Sequence, residues 1–150
     1  MQRCFRQRTA GFTLIELLLV VAIIGLLASL SGPKLQRAIE LARVAKAIGD
    51  IQAFQTELTS LDSLPTSLAA INRTAFLDPW GRPYVYLKLE GTKNNGKARK
   101  DHFLVPLNSD FDLYSVGKDG ASAGPLTAKA SADDVVRANN GGFIGLAARY

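Results

Sequence analysis

Phe12 to Leu30 reads FTLIELLLVVAIIGLLASL, nineteen residues with a single charge, Glu16. At about 1.5 Å per residue a helix of this length reaches about 28 Å, close to the hydrocarbon thickness of a bilayer. The core helix of a small domain carries a polar stripe, and this run has none. It therefore reads as membrane-inserted. Arg3, Arg6 and Arg8 precede it with no acid among them, which favours a cytoplasmic N-terminus.

Three readings compete for this segment. It is a cleaved secretory signal with Ser29-x-Ser31 as the cleavage site, a plain single-pass anchor, or an anchor cut before the apolar run. Glu16 helps to choose. A carboxylate costs up to about 2.5–3.5 kcal/mol at the bilayer centre and less near the interface, where this one lies. An ordinary signal or anchor gains nothing from it, and intramembrane acids usually have a partner. Snorkelling of Glu16 to the headgroups is the plainer alternative.

The rest of the chain bounds the answer. A chain of 150 residues holds one modest domain, or a smaller domain with a long appendage. With 47% hydrophobic and 21% charged residues it is globular in composition. The 18 Lys+Arg against 13 Asp+Glu give a net charge of +5. Without the three N-terminal arginines the balance falls to fifteen against thirteen, so a polyanion-binding body is not indicated and nucleic acid is not an expected partner. One cysteine, Cys4, excludes an intrachain disulfide, and one histidine, His102, argues against a histidine-rich zinc site.

Beyond the apolar run, Gly32 and Pro33 predict a bend or local break in the helix. From Lys34 to Leu61 the spacing becomes amphipathic. Leu35, Ala38/Ile39, Ala42, Ala45, Ile48, Ile51, Phe54, Leu58 and Leu61 fall three or four residues apart and predict one stripe. Glu40 and Arg43 are spaced as an i,i+3 ion pair. The helix is expected to end near Leu61, and Pro65 to Ile71 reads as a short second helix or a loop.

Asp78-Pro79-Trp80-Gly81-Arg82-Pro83 is dense in turn formers. Tyr84 to Leu89 then predicts a strand, Asn95-Gly96 a hairpin turn, His102 to Leu107 a second strand, and Phe111 to Val116 a third. Three antiparallel strands packed on the helix stripe make an α+β head. Trp80 is expected to pack over the helix, Lys93, Lys97, Arg99 and Lys100 to form a solvated basic tip, and His102 to be a surface or strand residue.

The segment from Ala121 to Ala132 has small residues and little periodicity, and it needs something to fix it. Asp119, Asp133 and Asp134 offer hard oxygen ligands of the kind calcium takes. The pattern is not an EF-hand: counted from Asp110, the twelfth position is Ala121. By spacing alone, solvated acids on a loop explain it better. No Ser/His/Asp order, P-loop or metal-histidine motif is present, so no enzyme is expected.

Gly11-Phe12-Thr13-Leu14-Ile15-Glu16-Leu17 resembles the processing motif of type IV pilins and type II secretion pseudopilins. The resemblance implies cleavage after Gly11 by a prepilin peptidase, N-methylation of Phe12, and retention of Glu16. It divides the chain into a leader at 1–11, a transmembrane or filament-core helix at 12–33, and a periplasmic head at 34–150. Cys4 would leave with the leader. Asp78-Pro79-Trp80-Gly81-x-Pro83-Tyr84 and Asp112-Leu113-Tyr114-Ser115-x-Gly117-x-Asp119-Gly120 are similar to the major pseudopilins of type II secretion, which bind calcium in the loop after the last strand. Carried over, that places calcium at Asp119, Asp133 and Asp134. The chain departs from that pattern at Lys118, lacks a Gly-Gly pair soon after Asp119, and has Asn139-Asn140-Gly141-Gly142-Phe143 where a tryptophan is usual.

The implied role is a structural subunit. It would sit in the inner membrane, then polymerise with itself and with other pseudopilins through an inner-membrane assembly platform. A type IV pilin, and a periplasmic binding protein or enzyme with a conventional signal, are the alternatives. The amine left on Phe12 by cleavage would pair with Glu16 of a neighbouring subunit, or more weakly with Glu16 of its own helix.

Overall fold

The computed structural model describes residues 11–91 and 96–150. Arg3, Cys4, Arg6 and Arg8 of the expected leader, and Lys93 and Asn95 of the expected basic tip, lie outside the described residues. The chain divides into two compact units, Met1–Ile39 and Glu40–Tyr150. The long helix α1, Leu14–Thr59, contributes to both.

In the first unit α1 carries the apolar run, long and apolar enough to cross a membrane. Leu14, Leu18, Ile24 and Leu26 are among its exposed side chains. The helix continues through Pro33, where the sequence predicts a bend or break. Pro33 has no N–H to offer the carbonyl one turn earlier, at Ser29. The Ser29 hydroxyl bonds back to the Leu26 carbonyl at 2.8 Å.

In the second unit the buried face of α1 is Ala47, Ile51, Phe54 and Leu58, flanked by half-buried Val44 and Ile48. These positions repeat at three and four residues, as an amphipathic helix requires. The expected stripe is right from Ile48 to Leu58 and wrong at both ends. Leu35, Ile39, Ala42, Ala45 and Leu61 are exposed. The true face above Ile48 runs through Ala47 and Val44, because the sheet covers only that side. The helix stops at Thr59, two residues before the expected end. There the hydroxyls of Thr59 and Ser60 bond back to the Gln55 and Glu57 carbonyls at 2.8 and 2.7 Å. Leu68–Ile71 forms a short 3₁₀ turn.

Four antiparallel strands follow in sequential order: β1 Val85–Lys88, β2 Phe111–Ser115, β3 Val135–Ala138 and β4 Phe143–Leu146. Tyr86 lies opposite Leu113, Ser115 opposite Val135, and Val136 opposite Gly145. The α+β class is as expected, and so are β1 and β2. The strand expected at His102 to Leu107 does not form. Pro106 cannot donate to a ladder, His102 adopts a positive φ of 42°, and Asp101 and Leu104 close a tight turn on each other. The hairpin of β3 and β4 was not expected.

The sheet has a core on each face. Tyr84, Phe111, Leu113 and Val135 pack on the helix with Phe54, and half-buried Phe76 joins them. The rings of Phe54 and Phe76 meet edge to face with centroids 5.3 Å apart. Val136, Ala138, Leu107, Leu126 and Ala147 form the second core. Irregular chain therefore covers the outer face, and Leu126 of the β2–β3 connection is part of that cover. Trp80 packs against the helix-side core, as expected, and its indole N–H donates to Glu40 Oε1 at 3.0 Å.

Candidate functional site

The N-terminal motif begins in the open. Gly11 and Phe12 are exposed, which suits a bond that a peptidase must reach. Thr13 sits immediately before the first helical residue, Leu14, and Glu16 stands three positions on. The Thr13 N–H donates to Glu16 Oε2 at 2.8 Å, the Thr13 hydroxyl donates to the same oxygen at 2.7 Å, and the Glu16 N–H donates to Thr13 Oγ1 at 3.3 Å. This is a capping box. The reciprocal bonds satisfy donors at the helix start, and the carboxylate complements the positive end of the helix dipole.

Glu16 therefore has a partner within its own chain, and it is held at the first turn, one helical turn from Phe12. The sequence reading passed over Thr13. The signal was present, since Thr-x-x-Glu before an apolar run is itself a capping-box signature.

The second candidate is the loop between β2 and β3. The structure brings Asp133 to Asp119 and turns Asp134 away from both. Asp133 Oδ2 accepts the Asp119 N–H at 2.9 Å, and Asp119 Oδ1 accepts the Ala121 N–H at 2.8 Å. Asp134 is fully buried and faces Arg99, with Nη2 to Oδ2 at 2.7 Å. It also accepts the Ser122 hydroxyl at 2.6 Å. Burial pushes the Asp134 carboxyl up, against the downward pull of Ser122 and Arg99. Among the described residues no three acidic, histidine or cysteine side chains are grouped as a metal site.

Arg99 corrects the basic tip. It is 3% exposed, while Lys97 and Lys100 of the same stretch are exposed. Its backbone N–H donates to buried Asp112 at 2.6 Å, and its guanidinium lies 4.3 Å from the Tyr114 ring centroid. Arg82, from the turn before β1, is the second arginine that contacts this loop. Its Nη1 donates to the carbonyls of Gly117 and Lys118, at 2.7 and 3.3 Å. Gly120 has a φ of 73°, and a Cβ there would lie 2.5 Å from the Arg82 guanidinium carbon, so the arginine fills the space that a side chain would need. The backbone of Arg82 is fixed in turn by buried Asp78, whose Oδ1 accepts the N–H groups of Trp80 and Arg82 and whose Oδ2 accepts the Ser115 hydroxyl. His102 is exposed and lies 3.0 Å from Asp101 Oδ1.

Comparison with known proteins places these features in a family. Residues 6–32 match the prokaryotic N-terminal methylation motif. The chain is 35% identical to the type II secretion system core protein G of Pseudomonas aeruginosa over 144 residues, covering 79% of this chain and 90% of that one. It is 44% identical to the protein of the same name from Dickeya chrysanthemi over 146 residues, covering 90% of each. A fimbrial protein of Pseudomonas aeruginosa is 31% identical over 131 residues, covering 87% of this chain and 80% of that one. No solved structure matches. With the methylation motif at the start of an apolar helix, a small antiparallel head behind it, and this identity along most of its length, the chain belongs to the type II secretion system core protein G family, the major pseudopilins.

Proposed function

We propose that the chain is cut after Gly11, methylated on Phe12, held in the inner membrane by residues 12–33 with its head in the periplasm, and then built into a short periplasmic filament. The observation that carries this is the capping box at the start of an exposed apolar helix. The helix has no cover in the single chain, and either lipid or the same helix of neighbouring subunits would provide one. The capping box holds the Glu16 carboxylate at the first turn, on Thr13, the residue after the proposed new N-terminus. A neighbour's amine would then meet an acid already in place, and axial register would follow from that pairing. Other pseudopilins, the peptidase and the assembly platform are the partners. The chain's role is structural, and energy for assembly is supplied by other components.

Intact-mass and N-terminal sequencing of the protein from its host should begin at methylated Phe12. A mature chain beginning at Gly32 would sink the proposal. Glu16→Ala should still insert in the membrane yet fail to form filaments. Normal filaments from that variant would refute the register argument. Overproduced filaments that appear as surface pili and leave secretion unaffected would favour the fimbrial reading, which the fimbrial relative supports.

A further inference from the structure

The β2–β3 connection, residues 116–134, holds no regular structure apart from one 3₁₀ turn at Lys129–Ser131. Such a connection stays ordered only if its polar groups have fixed partners. Resemblance implied a calcium ion held by Asp119, Asp133 and Asp134. The donors present do not fit one. Calcium takes six to eight oxygens converging on a point. Here adjacent acids part company: Asp133 meets the Asp119 amide, and Asp134 meets Arg99 and Ser122. The loop carbonyls of Gly117 and Lys118 already accept from a guanidinium. One buried oxygen, Asp134 Oδ1, lacks a hydrogen bond, but it belongs to a carboxylate paired with Arg99, whose Nε is buried and equally unpartnered. A divalent cation on that oxygen would stand beside a fixed positive charge and be repelled by it.

We infer that two arginines, Arg82 and Arg99, take the place of a metal ion as the cations that hold this loop, so that the head of this chain is ordered without calcium. Each end of the connection has one. Arg82, from the turn before β1, holds the exit from β2 through the Gly117 and Lys118 carbonyls and packs against Gly120. Arg99 holds the return to β3 by bridging Ser122 to Asp134. Between them buried Ser131 ties the loop to itself: its hydroxyl accepts from the Ala123 N–H at 3.0 Å and donates to the Ala123 carbonyl at 2.9 Å. The Lys100 N–H donates to the Gly124 carbonyl and the Leu126 N–H to the Lys100 carbonyl, at 3.1 and 2.9 Å, which seats Leu126 in the outer core. A guanidinium suits this task because its donors form a planar fork, its charge does not titrate, and it is covalently tethered. A bound ion, by contrast, stabilises only in proportion to its concentration.

The test uses the full chain in detergent. Its melting temperature should be the same in excess calcium and in excess chelator, and calorimetric titration with calcium should give no saturable heat. Arg99→Gln should lower the melting temperature in both solutions, and Arg82→Gln should speed hydrogen exchange at the amides of residues 117–124. A chelator-induced drop in the melting temperature of the unaltered chain, or stoichiometric calcium binding, would overturn the inference. So would unchanged exchange in Arg82→Gln. That variant changes a partly exposed side chain whose hydrogen bonds go to loop carbonyls, so it keeps the inference open to refutation if Arg99→Gln does not fold.

Discussion

At the scale of single residues, one buried arginine joins three parts of the head. Arg137 is 2% exposed and every one of its nitrogens is engaged. Nε donates to Gln55 on the helix at 2.9 Å. Nη1 and Nη2 grip Asp110 at 2.8 and 2.6 Å, and Nη1 also donates to the Phe111 carbonyl. One side chain thus ties helix, sheet and the loop before β2, while its guanidinium stacks 4.0 Å from the Phe111 ring centroid. For Asp110, burial pushes the carboxyl up, but the Arg137 fork and the Phe111 amide outweigh it and hold it below the usual carboxylate range. A depressed acid stabilises the fold above its unfolded-state pKa and loses that contribution as pH falls through the folded value. Denaturant titrations should therefore show stability falling below about pH 4, and Asp110→Asn should be less stable at neutral pH with a flatter acid limb. An unchanged acid limb in that variant would show that Asp110 is not the group responsible.

At the scale of elements, α1 does two jobs along one helix, and the exposure of its side chains marks the change. Up to Leu41 its described large apolar side chains are exposed; from Ala47 to Leu58 they lie in or against the core. Burial predicts opposite outcomes for two chemically identical changes. Leu58→Ala removes a fully buried side chain and should lower head stability by about 2–5 kcal/mol. Leu41→Ala, at 63% exposed, should change it by less than about 0.5 kcal/mol. Chemical denaturation of the two variants checks this, and equal losses would mean that Leu41 is covered in the folded head.

At the scale of the whole molecule, both buried clusters lie entirely within the second unit, since the earliest buried member is Ala47. A chain begun at Glu40 should therefore fold, remain soluble without detergent and melt cooperatively, because it keeps its whole core and loses the apolar run. Aggregation of that truncated chain, or a non-cooperative melt, would show that residues before Glu40 contribute to the head. This separation matches the proposed life of the protein. The head must keep one shape while the apolar helix exchanges lipid for protein neighbours.

Local patterns in the sequence determined the apolar run, the N-terminal methylation motif, the helix from Ile48 to Leu58, β1 and β2. Each is legible because period, turn chemistry and motif act over a few neighbouring residues. Even the Thr13–Glu16 box was legible in that sense, although the reading missed it. The hairpin of β3 and β4 had a turn signal in Asn139-Asn140-Gly141, and its strands are only four residues each, too short for a period to stand out. Tertiary structure alone decided which side of α1 is covered above Ile48. It alone sent Arg99 inward from a stretch of lysines and parted Asp134 from Asp133. Arg99 and Asp134 are 35 residues apart in the chain, and the burial of each is tolerable only because the other arrives. A pairing of that kind leaves no mark in the local pattern of either partner.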